Sequence, residues 1–216
     1  AGDIEVDSSA STFQLGGGTI SGKTIINPIT VNWLSGNITL ANGAVFQNSG
    51  TFNAKNAASV TNNAMNGGVN ERFVNTGNFI KDTAGTTTTM DIPFTNDGTV
   101  DVIAGSLIFQ QGMDNGEDVV IDLGGGTLDP GETLNLESGD SLIGSGTLAA
   151  TLVSSGTVSP GDSPGNITVQ GDYTQQSDGV LEIQLGGTTA GTEYDQLTVT
   201  GTATMAGTLN MSLIDG

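Results

Sequence analysis

The sequence predicts an all-β chain folded as a parallel β-helix (a β-solenoid), a single elongated domain over residues 1–216, and three observations predict it. The first is a recurring triplet of Gly, then Thr or Asn, then one apolar residue. It appears as Gly18-Thr19-Ile20, Gly36-Asn37-Ile38, Gly50-Thr51-Phe52, Gly77-Asn78-Phe79, Gly98-Thr99-Val100 and Gly126-Thr127-Leu128. It continues as Gly146-Thr147-Leu148, Gly156-Thr157-Val158, Gly165-Asn166-Ile167 and Gly207-Thr208-Leu209, with Gly105-Ser106-Leu107 a close relative. The second is the interval, near twenty residues from 18 to 36, 77 to 98, 105 to 126, 126 to 146 and 146 to 165, and twice that from 165 to 207. A repeat on this scale is one supersecondary unit stacked on copies of itself. The third is the alternation of Val, Ile, Leu and Phe with Thr, Ser and Asn, the pattern of half-buried strands, without the i, i+3, i+4, i+7 spacing of helices.

Strands are predicted over 4–6, 12–15, 24–26, 29–33, 38–40, 45–47 and 51–54, each an alternating run between Gly- or Asn-containing turns. The polar, glycine-rich stretch 62–72 (NNAMNGGVNER) is expected to leave the repeat as a loop. Strands resume over 73–74, 78–81, 90–94, 99–103 and 106–110, and a second loop is expected over 111–118 (QGMDNGED). The remaining strands are predicted over 119–123, 133–136, 147–152, 166–169, 172–175, 180–185, 196–199, 202–205 and 208–213. Stacked coils pair at about 4.8 Å, so ten coils would make a rod roughly 50 Å long. Glycine is expected to supply a positive-φ corner, the Thr or Asn to bond at the turn or stack on its counterpart, and the apolar residue to point inward. Hairpin folds would need two-residue Asn-Gly or Asp-Gly turns at nearly every connection, and these are few.

The formal charge is −19, with 23 acidic residues against Lys23, Lys55, Arg72 and Lys81. So few cations exclude nucleic acid as a partner, and direct attraction to an anionic membrane with it. The chain has neither Cys nor His, which removes disulfides, thiolate zinc sites, cysteine nucleophiles, the Ser-His-Asp triad and imidazole ligation. No apolar run reaches 18 residues, so no helical transmembrane segment is expected. The start at Ala1-Gly2-Asp3 suits a secreted chain after signal-peptide removal as well as a trimmed one.

Carboxylates are the remaining catalytic candidates. Asp114, Glu117 and Asp118 cluster, but on one glycine-rich loop rather than converging across a cleft as a hydrolase requires. A lyase would need a base and a cation, for which Arg72 and Lys81 are the basic residues near a loop. No catalytic residue is assigned. Asp162, Asp172, Asp178 and Asp195 lie at turns of the kind that suits Ca²⁺, without the Gly-Gly-x-Gly-x-Asp nonapeptide of calcium-loaded β-rolls. Trp33, Tyr173 and Tyr194 are of a type that stacks on sugars, although strand aromatics more often pack a core. The run Thr86–Thr89 resembles the Thr arrays of ice-binding solenoids, which need such a row on every coil. Asn37-Ile38-Thr39, Asn166-Ile167-Thr168 and Asn210-Met211-Ser212 match glycosylation sequons, two of them as part of the triplet itself.

Residues 159–216 carry Ser159-Pro160-Gly161, Ser163-Pro164-Gly165, Gly171-Asp172-Tyr173-Thr174-Gln175 and Leu181-Glu182-Ile183. Leu185-Gly186-Gly187, Tyr194-Asp195-Gln196-Leu197 and Gly207-Thr208-Leu209 follow in order. This segment resembles a repeat module of bacterial secreted and surface proteins, including autotransporter passenger domains and proteins with a C-terminal PEP-type sorting tail. Asn48-Ser49-Gly50-Thr51-Phe52, Asn75-Thr76-Gly77-Asn78-Phe79 and Asn96-Asp97-Gly98-Thr99-Val100 resemble the looser coils upstream in such proteins, so residues 1–158 read as looser coils. The resemblance implies a right-handed parallel β-helix, exported and displayed or released, and no catalytic residue. Neither a barrel translocator nor a sorting tail follows Gly216, so the chain is expected to be an excised portion or a short protomer whose last coil meets another subunit. The expected function is a secreted or cell-surface structural or adhesive element without catalysis, self-associating head-to-tail through its coil ends and meeting a surface glycan or protein. The alternatives are a carbohydrate-active lyase or hydrolase and a non-catalytic glycan-binding module.

Overall fold

The computed structural model describes residues 4–7, 9, 11–62, 70–161 and 164–214, and all their regular structure is β. The strands pair in parallel, in three long sheets, and the chain visits three ladders in turn before returning to the first. One ladder is the six-stranded sheet Ile4–Glu5, Thr24–Asn27, Val45–Asn48, Arg72–Asn75, Phe94–Asn96 and Met113–Asn115. A four-stranded sheet, Leu134–Leu136, Leu152–Ser154, Tyr173–Gln175 and Ala203–Thr204, takes up the same place in the chain order after it. The second ladder begins with Thr12–Leu15, Thr30–Trp33 and Thr51–Ala54 and ends with Thr157–Pro160, Val180–Leu185 and Thr208–Leu213. The third holds Gly18–Ser21, Ile38–Ala41, Ser59–Asn62, Asn166–Val169 and Gln196–Val199. Between these, Asn78–Asp91, Thr99–Phe109, Val120–Asp129 and Ser141–Leu148 each run through both ladders and join them into a fifteen-stranded sheet. We call one visit to each ladder a rung. This architecture is consistent with a β-solenoid, and no helix among the described residues is long and apolar enough to cross a membrane.

The register explains the triplet. Phe52 pairs with Phe79, Phe79 with Val100, Val100 with Ile121 and Ile121 with Leu142, so one inward column recurs rung after rung. Phe46, Phe52, Phe73, Phe79, Phe94 and Phe109 interlock inside with centroids 4.5 to 6.4 Å apart, mixing stacked, edge-on and tilted contacts. The apolar residue of the triplet is buried in most rungs. Ile20 and Leu209, at the two extremes, are less covered.

The role expected of glycine needs correction. Gly36, Gly105 and Gly207 do have positive φ, but Gly50, Gly77, Gly98, Gly126, Gly146, Gly156 and Gly165 do not. Their requirement is close approach between rungs. A Cβ on Gly77 would strike the Gly50 carbonyl oxygen, one on Gly98 would strike the Gly77 oxygen, and one on Gly146 would lie 2.6 Å from the Gly126 oxygen. The Gly50 and Gly77 oxygens are already engaged, since Asn78 N–H donates to Gly50 O at 2.8 Å and Thr99 N–H to Gly77 O at 2.9 Å. A side chain there would break the inter-rung bond.

At the corner after the first ladder, Asn27, Asn48, Asn75 and Asn96 are buried and stacked. Each Nδ2 donates to the next Oδ1, at 2.6, 2.7 and 2.8 Å, and Asn96 to Asn115 at 3.2 Å. The same amides bond turn carbonyls, for example Asn75 to Gly77 O and Thr99 O. Beyond Asn115 the column changes to Leu136, Ser154 and Gln175, where Gln175 Nε2 reaches Gly179 O and Thr208 O.

Several boundaries differ from the sequence expectation. The stretch 111–118 is not all loop: Met113–Asn115 is a strand paired with Phe94–Asn96, and Met113 is buried. Pairing with the preceding rung overrides its low strand propensity. The predicted strand 90–94 is split between Asp91 and Phe94, while 99–103 and 106–110 are one strand, Thr99–Phe109. Of the expected loop 62–72, residues 63–69 lie outside the described residues, and its two ends are strand residues.

Candidate functional site

A cavity of about 240 Å³ forms a groove where the six-stranded sheet stops at Met113–Asn115 and Leu134–Leu136 begins without bonding to it. Asp114, Glu132 and Glu137 are exposed around it, and Asp140 lies buried at its base. Asp140 is a backbone clamp: Val119 N–H donates to its Oδ1 at 3.0 Å and Glu137 N–H to its Oδ2 at 2.8 Å. Of the three carboxylates singled out from sequence, the structure brings Asp114 into the groove, while Glu117 and Asp118 stand exposed on the turn beyond it and do not line it. Glu132 and Glu137 join Asp114 from a later rung, which no local pattern announces.

The two basic candidates do not meet there. Arg72 is exposed on the first ladder and donates to Asn70 O at 3.2 Å. Lys81 is buried, its ammonium held by Thr86 Oγ1 and the carbonyls of Asn56 at 3.1 Å and Thr83 at 3.3 Å. Burial holds its pKa below the ordinary lysine value, an effect partly opposed by the adjacent Asp82 charge. Asp82 itself pairs with Lys55.

Two of the turn aspartates serve the backbone. Asp195 is buried and accepts from Gly165 N–H at 2.9 Å and Gln184 N–H at 2.7 Å, tying two rungs to the excursion at 186–194. Asp172 accepts from Thr202 N–H at 2.7 Å, and Asp178 from the Ser177 hydroxyl at 3.4 Å. Asp162 lies outside the described residues. Among the described residues no three carboxylates are grouped in a way that would hold a metal ion.

Trp33 and Tyr173 are core residues, wholly buried. The indole donates to Gly36 O at 2.9 Å, and the phenol lies 3.2 Å from Gln175 Oε1 with its pKa pushed up to about 12 by burial. Tyr194 is half-buried in the 186–194 excursion. In place of one Thr run, the fold builds a hydroxyl column on the third ladder: Thr87, Ser106, Thr127, Thr147, Thr168 and Thr198 succeed one another in register. Four of these are the middle residue of a triplet or its close relative, or follow one directly, so the signal lay in the repeat and not in the run. On the second ladder Asp101 pairs in register with Asp122, and burial together with the Asp122 charge raises the Asp101 pKa above 3.8.

No protein-family model, curated protein or solved structure matches this chain.

Proposed function

We propose that this chain is a right-handed, closed parallel β-helix that serves as a non-enzymatic structural or adhesive element outside the bacterial cell or on its surface. The observation that carries the reading is the unbroken succession of parallel ladders from Thr12–Leu15 to Thr208–Leu213, packed inside by side chains. Such stacking makes a stiff scaffold whose outward positions are free to vary. Strands at 4.8 Å would give it a length of roughly 45–50 Å. The resemblance of residues 159–216 to exported repeat modules supports the location.

Antibody labelling of intact source cells, alongside assay of the culture medium, tests the location; signal confined to lysed cells overturns it. Incubation with acidic polysaccharides, with and without Ca²⁺, tests the absence of catalysis, and appearance of reducing ends or unsaturated uronates overturns that part. A second reading, glycan binding or cleavage at the carboxylate groove, draws on the placement of Asp114, Glu132 and Glu137 around one 240 Å³ space. It predicts that Asp114→Asn with Glu132→Gln abolishes polysaccharide binding or cleavage.

A further inference from the structure

We propose that the groove at the break in the first ladder takes an extended, basic segment of a partner protein, which adds as a parallel strand to Met113–Asn115 and sets its Lys or Arg against Asp114, Glu132 and Glu137. The proposal rests on the stacked-rung reading above and concerns a site inside the stack, with paired rungs before and after it.

The break is local. The neighbouring wall is paired across it, Thr99–Phe109 to Val120–Asp129 and on to Ser141–Leu148. In the first ladder, Leu134–Leu136 arrives one rung after Met113–Asn115 and does not bond to it. The chain just before Leu134 accounts for this. Pro130 has no N–H to give to the preceding rung, and Gly131 N–H is taken at 2.9 Å by Asp129 Oδ1. This corner closes on itself and not on the ladder.

The backbone groups facing the break follow from the bonds on either side. In a parallel ladder the N–H and C=O of one residue point to one neighbouring strand, and those of the next residue to the other. Gly116 N–H donates back to Asn96 O at 2.8 Å, so Asp114 also points back, and Met113 and Asn115 point into the groove. On the far wall Leu134 N–H donates forward to Thr151 O at 2.9 Å, so the peptide groups of Asn135 point into the groove. The margins are capped by side chains: Asp140 Oδ2 accepts from Glu137 N–H, and Asn135 Nδ2 donates to Thr133 O at 3.4 Å. What remains between them is a short strand edge beside a space of about 240 Å³, the setting in which an added strand supplies main-chain bonds.

Charge selects the strand. Asp114, Glu132 and Glu137 are exposed around the groove, and Glu132 lies back across it, its Oε1 2.4 Å from where a Cβ on Gly112 would be. Charged residues guard a sheet edge against unwanted pairing. Carboxylates repel an acidic strand and favour a basic one. A second copy of this chain is a poor occupant: its net charge is −19, and of its four cations Lys81 is buried and Lys55 is held by Asp82. The edge also fixes a pattern. Met113 is buried, Asp114 exposed, and Asn115 the last carboxamide of its column. The added strand therefore sets an apolar residue beside Met113, Lys or Arg beside Asp114, and Asn beside Asn115.

The probe is a blocked peptide Thr-Val-Lys-Asn-Gly, titrated into the isotopically labelled full chain. Saturable NMR shifts of the Met113–Asn115 and Asn135 amides are expected, with tighter binding at about 10 mM than at about 150 mM salt. Asp114→Asn with Glu132→Gln should keep the circular dichroism of the parent and weaken binding roughly tenfold, two exposed ion pairs being lost. In this register the peptide's Lys N–H donates to Met113 O, so methylating that nitrogen should abolish binding with the charge unchanged. Absence of saturable shifts at these amides, binding that either change leaves intact, or a neutral oligosaccharide shifting them where the peptide does not would overturn the proposal. Cell-surface labelling decides the location separately, so the two readings fail independently.

Discussion

Asn75 shows how much one side chain does inside the stack. Its carboxamide accepts from Asn48 and donates to Asn96, Gly77 O and Thr99 O, all in a buried corner. Asn75→Ala would leave several buried groups unsatisfied at once, and we expect a loss of about 2–3 kcal/mol by urea denaturation. Asn115→Ala, at the half-covered end of the same column, should cost about 1 kcal/mol or less. Equal losses at the two positions would mean that the column does not act through burial.

Asp101 gives the opposite sign. Its folded pKa is raised above 3.8, so the folded state keeps a proton that the unfolded chain releases. Stability from this group therefore falls as pH rises from about 3.8 through the raised value. Asp101→Asn should gain on the parent over that window and hold its advantage at neutral pH. Thermal melts of both proteins from pH 3 upward check this; a pH-independent difference would remove Asp122 repulsion and burial as the cause.

At the level of the element, the glycine column separates two explanations of the repeat. Gly77 has no positive φ, yet a Cβ there meets the Gly50 oxygen. Gly16 lies in open space with nothing within 4 Å of a Cβ. Gly77→Ala should cost about 2–3 kcal/mol by forcing neighbouring rungs apart, and Gly16→Ala should stay within about 0.5 kcal/mol of the parent. Denaturant midpoints decide, and a tolerant Gly77 would return the argument to corner conformation.

The same elements show what could be read in advance. The triplet and its twenty-residue interval are local, so strand existence and the inward residue were legible from sequence. The reason for glycine was not, because the clash involves an oxygen one rung away. The asparagine column left a trace in Asn48-Ser49-Gly50, Asn75-Thr76-Gly77 and Asn96-Asp97-Gly98, always two residues before the triplet glycine. Met113–Asn115 left none, since its polar, glycine-flanked sequence becomes a strand only through pairing with Phe94–Asn96. The groove was half legible for a like reason: Asp114 is in the cluster that sequence picks out, but Glu132 and Glu137 arrive from another rung.

Over the whole molecule, charge and stacking pull in opposite directions. The formal charge of −19 is spread over a chain of stacked parallel strands, and the second half of the sequence contains no Lys or Arg. Self-repulsion of this kind destabilises a compact state and is relieved by screening. We expect the melting temperature to rise by several degrees between about 10 mM and 150 mM salt, as the Debye length falls from about 30 to 8 Å. Calorimetry at the two salt concentrations checks it, and an unchanged melting temperature would show that the acidic positions are spaced beyond mutual influence.

The parallel ladders have one mechanical consequence. The backbone hydrogen bonds that join one rung to the next point along the direction of stacking, so tension applied between the two extremes loads them one rung at a time. Ile4 to Ile25 and Ile25 to Phe46 are each one rung, 21 residues, and such a length pulled straight spans about 70 Å. Drawn from its ends, this protein would lengthen in steps of roughly that size, peeling from the thinly covered extremes toward the phenylalanine-packed middle. A tether built this way absorbs load by shedding turns while its centre keeps its shape.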